Sequence, residues 1–218
     1  MPGRKASEET RRQQILQAAY DVATQYGLAA LTVRTVAQRA GLSTGLVIFH
    51  FTSKEHLVVA VLDHLLATTT VLHVTDDIRR IEPPRDRLLA LLRREMRRLS
   101  SEPGRIRLFF DFWELGFRQR RVRAKMRAEL GRYREAFRPI AEEVLRTQPA
   151  RFAGVTADGL AAVSVSFIKG CAVQSMIDPA NVDIDQFLAA TQGLFGAQQS
   201  VRVVQTGRPS RRQRRLPR

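Results

Sequence analysis

The sequence predicts an all-α fold, a short N-terminal group of helices followed by a longer helical part. Three observations carry this prediction. Apolar residues recur at three- and four-residue spacing through most of the 218 residues. Glycine and proline punctuate these periodic stretches at their ends. No alternation of apolar and polar residues sustains a strand. Hydrophobic residues make up 44% of the chain, enough for a core at this length, so disorder throughout is excluded. No unbroken run of eighteen apolar residues occurs, and the opening MPGRKASEET lacks the apolar segment of a secretory signal. A cytoplasmic protein with no membrane partner is expected.

Cys171, the single cysteine, cannot form an internal disulfide, and its apolar neighbours suit a buried small side chain better than a redox sensor. The net charge of +15 suggests affinity for polyanions. Its distribution qualifies that: residues 1–75 hold seven Lys or Arg against five acids, whereas residues 207–218 hold six arginines and no acid. Nucleic-acid binding therefore has to be argued from pattern.

Taken in order, residues 1–6 read as a flexible arm whose Arg4 and Lys5 would suit a phosphate backbone or a solvated tail equally well. Ser7, followed by Glu8 and Glu9, starts the first helix, because acids in the first turn complement the helix dipole. Ile15, Ala19, Val22 and Tyr26 form its inward stripe, and Gly27 ends it. Residues 32–51, TVRTVAQRAGLSTGLVIFHF, then read as two short helices joined by a glycine turn. Thr32 caps the first, with Leu31 and Val36 at the spacing of a hydrophobic staple. Gly41 supplies the positive φ needed to leave that helix, and Ser43 caps the second. Val47 and Phe51 turn inward, which leaves Thr44, Gly45, Ile48, Phe49 and His50 near the outer face. An amphipathic pair of this size, small residues leading, fits a DNA major groove. Thr52 or Ser53 caps a fourth helix whose first residue, Lys54, together with free backbone N–H groups, could hold a phosphate.

The run ILQAAYDVATQYGLAALTVRTVAQRAGLSTGLVIFHFTSKEHLVVAVL resembles the DNA-binding domain of the TetR family of transcriptional regulators over about residues 10–62. The glycine-ended helix, the Thr-capped helix, the A-G-L-S turn, the recognition helix and the F-x-S-K lead-in to a fourth helix stand in the family's order. Ile48 departs from it, occupying the position of a phosphate-binding tyrosine. The resemblance implies a ligand-responsive regulator, more in keeping with a repressor than an activator. Such a regulator would bind an inverted-repeat operator in double-stranded DNA as a homodimer and be released by a small effector held in the second domain. Thr32, Arg34, Ser43, Thr44, Gly45, Leu46, Phe49, His50 and Lys54 are the candidate DNA-binding residues.

Beyond Lys54 the fourth helix runs to about residue 70 through Leu57, Val61, Leu65 and Leu66, long enough to connect the two parts and to act as the coupling element. Pro83 and Pro84 break the chain. A helix follows over 85–99, and Glu102, Pro103 and Gly104 break it again. Phe109, Phe110, Phe112, Trp113 and Phe117 then crowd aromatics beyond the need of one core face. They suit either ordinary core or a cavity, and Phe109, Phe112, Trp113, Phe117, Met126, Phe137 and Phe167 are the candidate ligand-binding residues. The expected effector is hydrophobic, an aromatic or acyl compound, acyl-coenzyme A included, because residues 118–134 hold eight basic side chains that would suit its phosphates as well as they suit a solvated face. That helix continues through Phe137 and Ile140 to about residue 145.

Helices over 156–177 and from Asp183 carry apolar faces with small residues between them, suited to a four-helix interface across a twofold axis. Leu160, Val163, Phe167, Phe187, Thr191 and Leu194 are the candidate interface residues, burial within one chain being the alternative. After residue 206, GRPSRRQRRLPR has no apolar period. The expected organisation is thus a flexible arm over 1–6, a helix-turn-helix DNA-binding domain over 7–53, a connecting helix over 54–74, a helical ligand-binding and dimerisation domain over 75–206, and a disordered Arg-rich tail over 207–218. Catalytic motifs are missing: no H-E-x-x-H, no G-x-S-x-G and no phosphate-cradling glycine loop occurs. No enzyme activity, cofactor or metal is expected, although His64, His73, Asp76 and Asp77 are near enough in sequence to converge. The rival reading is a non-sequence-specific nucleic-acid-binding or scaffold protein using the basic tail.

Overall fold

The computed structural model describes residues 7–69, 72 and 74–196, with side chains through residue 193. The arm over 1–6, His73 and the Arg-rich tail lie outside the described residues. Ten α-helices and one 3₁₀ turn follow one another, with no strand among the described residues. They are α1 (Glu8–Tyr26), the turn Leu28–Ala30, α2 (Val33–Ala40), α3 (Thr44–His50), α4 (Lys54–Ala67), α5 (Asp76–Arg79), α6 (Pro84–Ser100), α7 (Pro103–Arg118), α8 (Arg120–Thr147), α9 (Ala157–Ile177) and α10 (Ile184–Gly196).

The start signals read from the sequence mark the observed starts. The Ser7 hydroxyl accepts the Thr10 N–H, Ser53 rather than Thr52 caps α4, and Thr156 caps α9. Other expectations need correction. Tyr26 leaves the inward stripe of α1 and is 63% exposed. The connecting helix stops at Ala67, where Arg105 donates to the Leu65 carbonyl at 3.2 Å and Arg132 to the Leu66 carbonyl at 3.3 Å. Pro103 and Gly104 do not interrupt the chain for long, since they form the first turn of α7, where a proline N–H is not missed.

Two cores organise the molecule. The first joins α1, α2, α3 and α4 and also takes Leu108, Phe109, Phe112, Val122 and Met126, so the head shares its interior with α7 and the start of α8. The second is built from α6, the rest of α8, α9 and α10 and includes Ile106, Tyr133, Phe137 and Cys171. Among the described residues α9 is the single unbroken helix long and apolar enough to cross a membrane, with a mean hydropathy of 1.5. Its apolarity has another cause here, because α6 and α8 pack against it within the second core.

Helix α7 ties the parts together at the end of α1. A Cβ on Gly104 would stand 2.6 Å from the Thr24 carbonyl oxygen, so glycine is what lets the two backbones approach. One turn on, the Arg107 guanidinium donates to the Thr24 and Gln25 carbonyls at 2.8 Å each, groups that a helix C-terminus leaves unpaired. The Asp111 carboxylate accepts the Leu28 N–H at 2.8 Å and so caps the 3₁₀ turn.

Gly104→Ala should lower stability by about 1–3 kcal/mol, the usual cost of forcing a methyl into a filled contact. Gly131→Ala, in α8 with nothing within 4 Å of its Cβ position, should raise it by about 0.5–1 kcal/mol. Urea unfolding of the two variants checks both signs. Removing Arg107 and Asp111 together should split the thermal transition, the head melting before the body, and calorimetry that kept a single transition would refute this linkage.

Candidate functional site

The outer surface of the head is made by local chemistry. Thr32 and Thr35 form a reciprocal cap, the Thr32 hydroxyl accepting the Thr35 N–H at 3.1 Å and the Thr35 hydroxyl accepting the Thr32 N–H at 3.0 Å. Gly41, at φ 66 and ψ 34, turns the chain, and the Leu42 N–H closes on the Ala37 carbonyl at 3.0 Å. Ser43 caps α3 by accepting the Leu46 N–H at 3.2 Å. Val36, Ala37, Val47 and Phe51 are buried in consequence. Thr44, Gly45 and Phe49 are exposed, and Leu46 and His50 are half-buried at the same surface. Phe49 is 68% and Ile48 52% exposed, large apolar groups facing water on the same helix. Thr32, Arg34, Ser43 and Lys54 are exposed. Among the described residues neither Arg34 nor Lys54 is held by an ion pair or hydrogen bond, so both charges are available to a partner.

The seven candidate ligand residues do not converge on one cavity. Phe109, Phe112 and Met126 are buried in the first core and Phe137 in the second. Phe117 is 69% exposed, and Phe167 meets Phe187 edge to face at 6.2 Å between ring centres. Only Trp113 lines an opening, a groove of about 360 Å³ between α7, α8 and α9. Of its other lining residues, Phe110 belongs to the aromatic run and Arg134 to the basic segment singled out in the sequence, whereas Lys169 was missed. Lys169 had left a signal, as it is the only basic residue between Arg151 and Arg202. Four of the eight basic side chains of 118–134 serve the protein itself: Arg118 pairs with Glu114, Lys125 with Asp63, Arg132 with Glu129, and Arg123 donates to the Gly116 carbonyl. A further cleft, about 520 Å³, lies at the seam of head and body and includes Tyr26, Lys54, Arg107 and Asp111. No metal-binding cluster is present among the described residues.

Of the interface candidates, Leu160 is 3% and Thr191 1% exposed within the chain's own core, which removes both from a free surface. Phe167 and Phe187 are half-buried against each other, and the Leu194 side chain lies outside the described residues. Val163 remains, 45% exposed on the face of α9 that also carries Gly170, Gln174 and Ile177, the last 78% exposed.

Comparison with known proteins agrees with this architecture. Residues 15–61 match the model of bacterial regulatory proteins of the tetR family, and residues 84–195 match the C-terminal model of BetI-type transcriptional repressors. The HTH-type transcriptional regulator BetI of Stenotrophomonas maltophilia is 28% identical over 73% of this chain and 80% of its own length. That of Burkholderia mallei is 27% identical over 83% and 95%. Among solved structures, a transcriptional regulator from Rhodococcus sp. Rha1 superposes with a TM-score of 0.66 at 22% identity, covering 84% of this chain and 94% of that one. A regulator from Saccharomonospora viridis, solved in complex with choline, gives 0.62 at 16% identity, covering 87% and 97%. With both parts of the chain matched in order, the protein belongs to the tetR family of bacterial regulatory proteins and is a BetI-like helix-turn-helix transcriptional regulator rather than an enzyme.

Proposed function

We propose that the protein is a repressor that binds an inverted-repeat operator as a homodimer and is released when a small, largely apolar effector enters the groove between α7, α8 and α9. The observation that carries the DNA half is the exposed face of α3, where Thr44 and Gly45 lead and Phe49 follows, largely exposed and touching the neighbouring His50 ring edge to face. Thr44, Gly45 and Leu46 approach base edges in this reading. Phe49 offers apolar contact to a thymine methyl. Thr32, Arg34, Ser43, His50 and Lys54 flank the helix as phosphate contacts. The Ser43 oxygen accepts a backbone N–H bond, which leaves its O–H free to donate to a phosphate, whereas the Thr32 hydroxyl also meets the Thr35 hydroxyl at 3.0 Å.

The groove is the effector site in this reading because it adjoins α7, the same turns of which are fastened to the head. Choline in the S. viridis protein favours a second effector class, the quaternary ammonium compounds. In this chain, however, the ring faces of Phe109 and Tyr133 that would suit a cation already carry the Lys169 ammonium, at 4.0 and 4.4 Å. The dimer surface is the exposed face of α9 through Val163, Gly170, Gln174 and Ile177, where glycine allows close approach of a partner helix.

Lys54→Ala should weaken binding to all duplexes alike and lower the salt slope by about one, while Gly45→Leu should abolish sequence-specific binding. Gel-shift titrations across a salt series check this, and a Lys54→Ala protein with altered sequence preference but an unchanged slope would refute the division of labour. Sedimentation at micromolar concentration should give a dimer, and Ile177→Asp with Val163→Asp should give a folded monomer with at least tenfold weaker operator binding.

A further inference from the structure

Lys169 is a buried charge that DNA binding does not use. It is 8% exposed in the middle of α9, and its Nζ faces two aromatic rings, Phe109 from α7 and Tyr133 from α8. Among the described residues no hydrogen bond or ion pair closes on it. The nearby carboxylates are already engaged, Glu95 by Arg98 at 2.6 Å and Glu129 by Arg132, although one oxygen of each is buried without a partner. Burial pushes the Lys169 ammonium down to about 8, against the pull of Glu129, with Arg98 adding to the fall and Glu95 opposing it. A buried ammonium that makes no direct ion pair, and whose neighbouring carboxylates are already bound by arginines, gains from an anion brought to it.

The groove beside Lys169 defines which anion. Its walls are mostly apolar, Phe110, Trp113 and Leu130 among them, and its polar lining is Ser166, Arg134 and Lys169, with no acid. Among the described residues Arg134 has no ion-pair partner. An organic cation would meet two like charges there. A neutral apolar compound would leave Lys169 unpaired. We propose that the groove takes an amphiphilic monocarboxylate, its carboxylate paired with the Lys169 ammonium and its apolar body laid along Phe110, Trp113 and Leu130. This rests on the groove being the effector site and names that effector's chemical class. A volume of about 360 Å³ suits a small acid rather than a nucleotide conjugate.

The test uses the full-length protein, with Trp113, the only tryptophan, as the reporter. Octanoate should quench its fluorescence saturably at pH 7, at a concentration at least tenfold below that of octanamide or octyltrimethylammonium. The preference should fade as pH rises above about 8, because the bound carboxylate needs the lysine protonated. Glu95, Arg98, Glu129 and Tyr133 face the same amine, so the Lys169→Met variant, which should lose the pH dependence, assigns it to the lysine. Lys169→Met should still bind octanamide and lose the preference for the acid.

Equal binding of acid and amide at pH 7, or tighter binding of the ammonium compound, would overturn the assignment. So would octanal trapped on Lys169 by borohydride in a protein with no preference for the acid, since the amine would then be a nucleophile. Octanoate that binds as described but leaves the selected inverted-repeat duplex bound supports the carboxylate site and refutes the effector reading. Release of that duplex by octanamide as effectively as by octanoate does the reverse.

Discussion

The close approach of α7 to the end of α1 is the constraint on which the rest of the structure depends. A glycine at residue 104 permits it, and Arg107 and Asp111 exploit it by pairing backbone groups that α1 and the 3₁₀ turn leave open. These are polar contacts at a part-buried seam, each modest in net free energy at about 1 kcal/mol. Their position matters more than their size. With the end of α1 fixed on α7, Phe109 and Phe112 can complete the head's core, and the head cannot reorient without disturbing that core.

This arrangement also bears on the aromatic stretch, for which the sequence left ordinary core and a cavity both open. The crowding of aromatics over residues 109–117 is more than one core face requires, and a cavity was a reasonable expectation. The structure gives a different reason: α7 lies between two cores, with Phe109 and Phe112 turned into the first, Ile106 into the second, and Phe110 packed against both. A helix with two faces to fill needs more apolar surface than a helix with one. Nothing in the spacing alone separates that case from a cavity wall, because both place large side chains on opposite sides of one helix.

What was legible was local. Ser7, Thr32, Gly41, Ser43 and Ser53 each act within three or four residues of themselves, through a hydroxyl accepting a nearby N–H or a glycine taking a positive φ, and each sits where the sequence put it. The outward face of α3 follows from the same short-range geometry. Illegible were the contacts between segments far apart in the chain, such as Asp111 with Leu28, and the burial of Leu160 and Thr191 within one chain. Apolar periodicity says that a face is covered without saying whether the cover is the same chain or another. Lys169 was legible in part, since a lone lysine in a long uncharged stretch is conspicuous, but its aromatic neighbours come from two other helices.

If the groove is the effector site, as proposed, its path to DNA would follow from which helices are shared. Trp113 and Phe110 of α7 line the groove, and Arg107 and Asp111 of the same helix hold the head. The long helix α4 also links the parts, fixed at its end by Arg105 and Arg132 and along its side by the Lys125–Asp63 pair. Of the two, α7 has the shorter route, since a ligand that shifts Trp113 moves a rigid element whose next turns contact α1 directly. In the proposed mechanism, release of DNA would require only that the ligand favour the arrangement in which the two heads of a dimer no longer match the half-sites. A preference of about 1–3 kcal/mol would weaken operator binding about 5- to 150-fold. That range is within reach of one buried ion pair and a few apolar contacts, so no larger rearrangement of the fold has to be invoked.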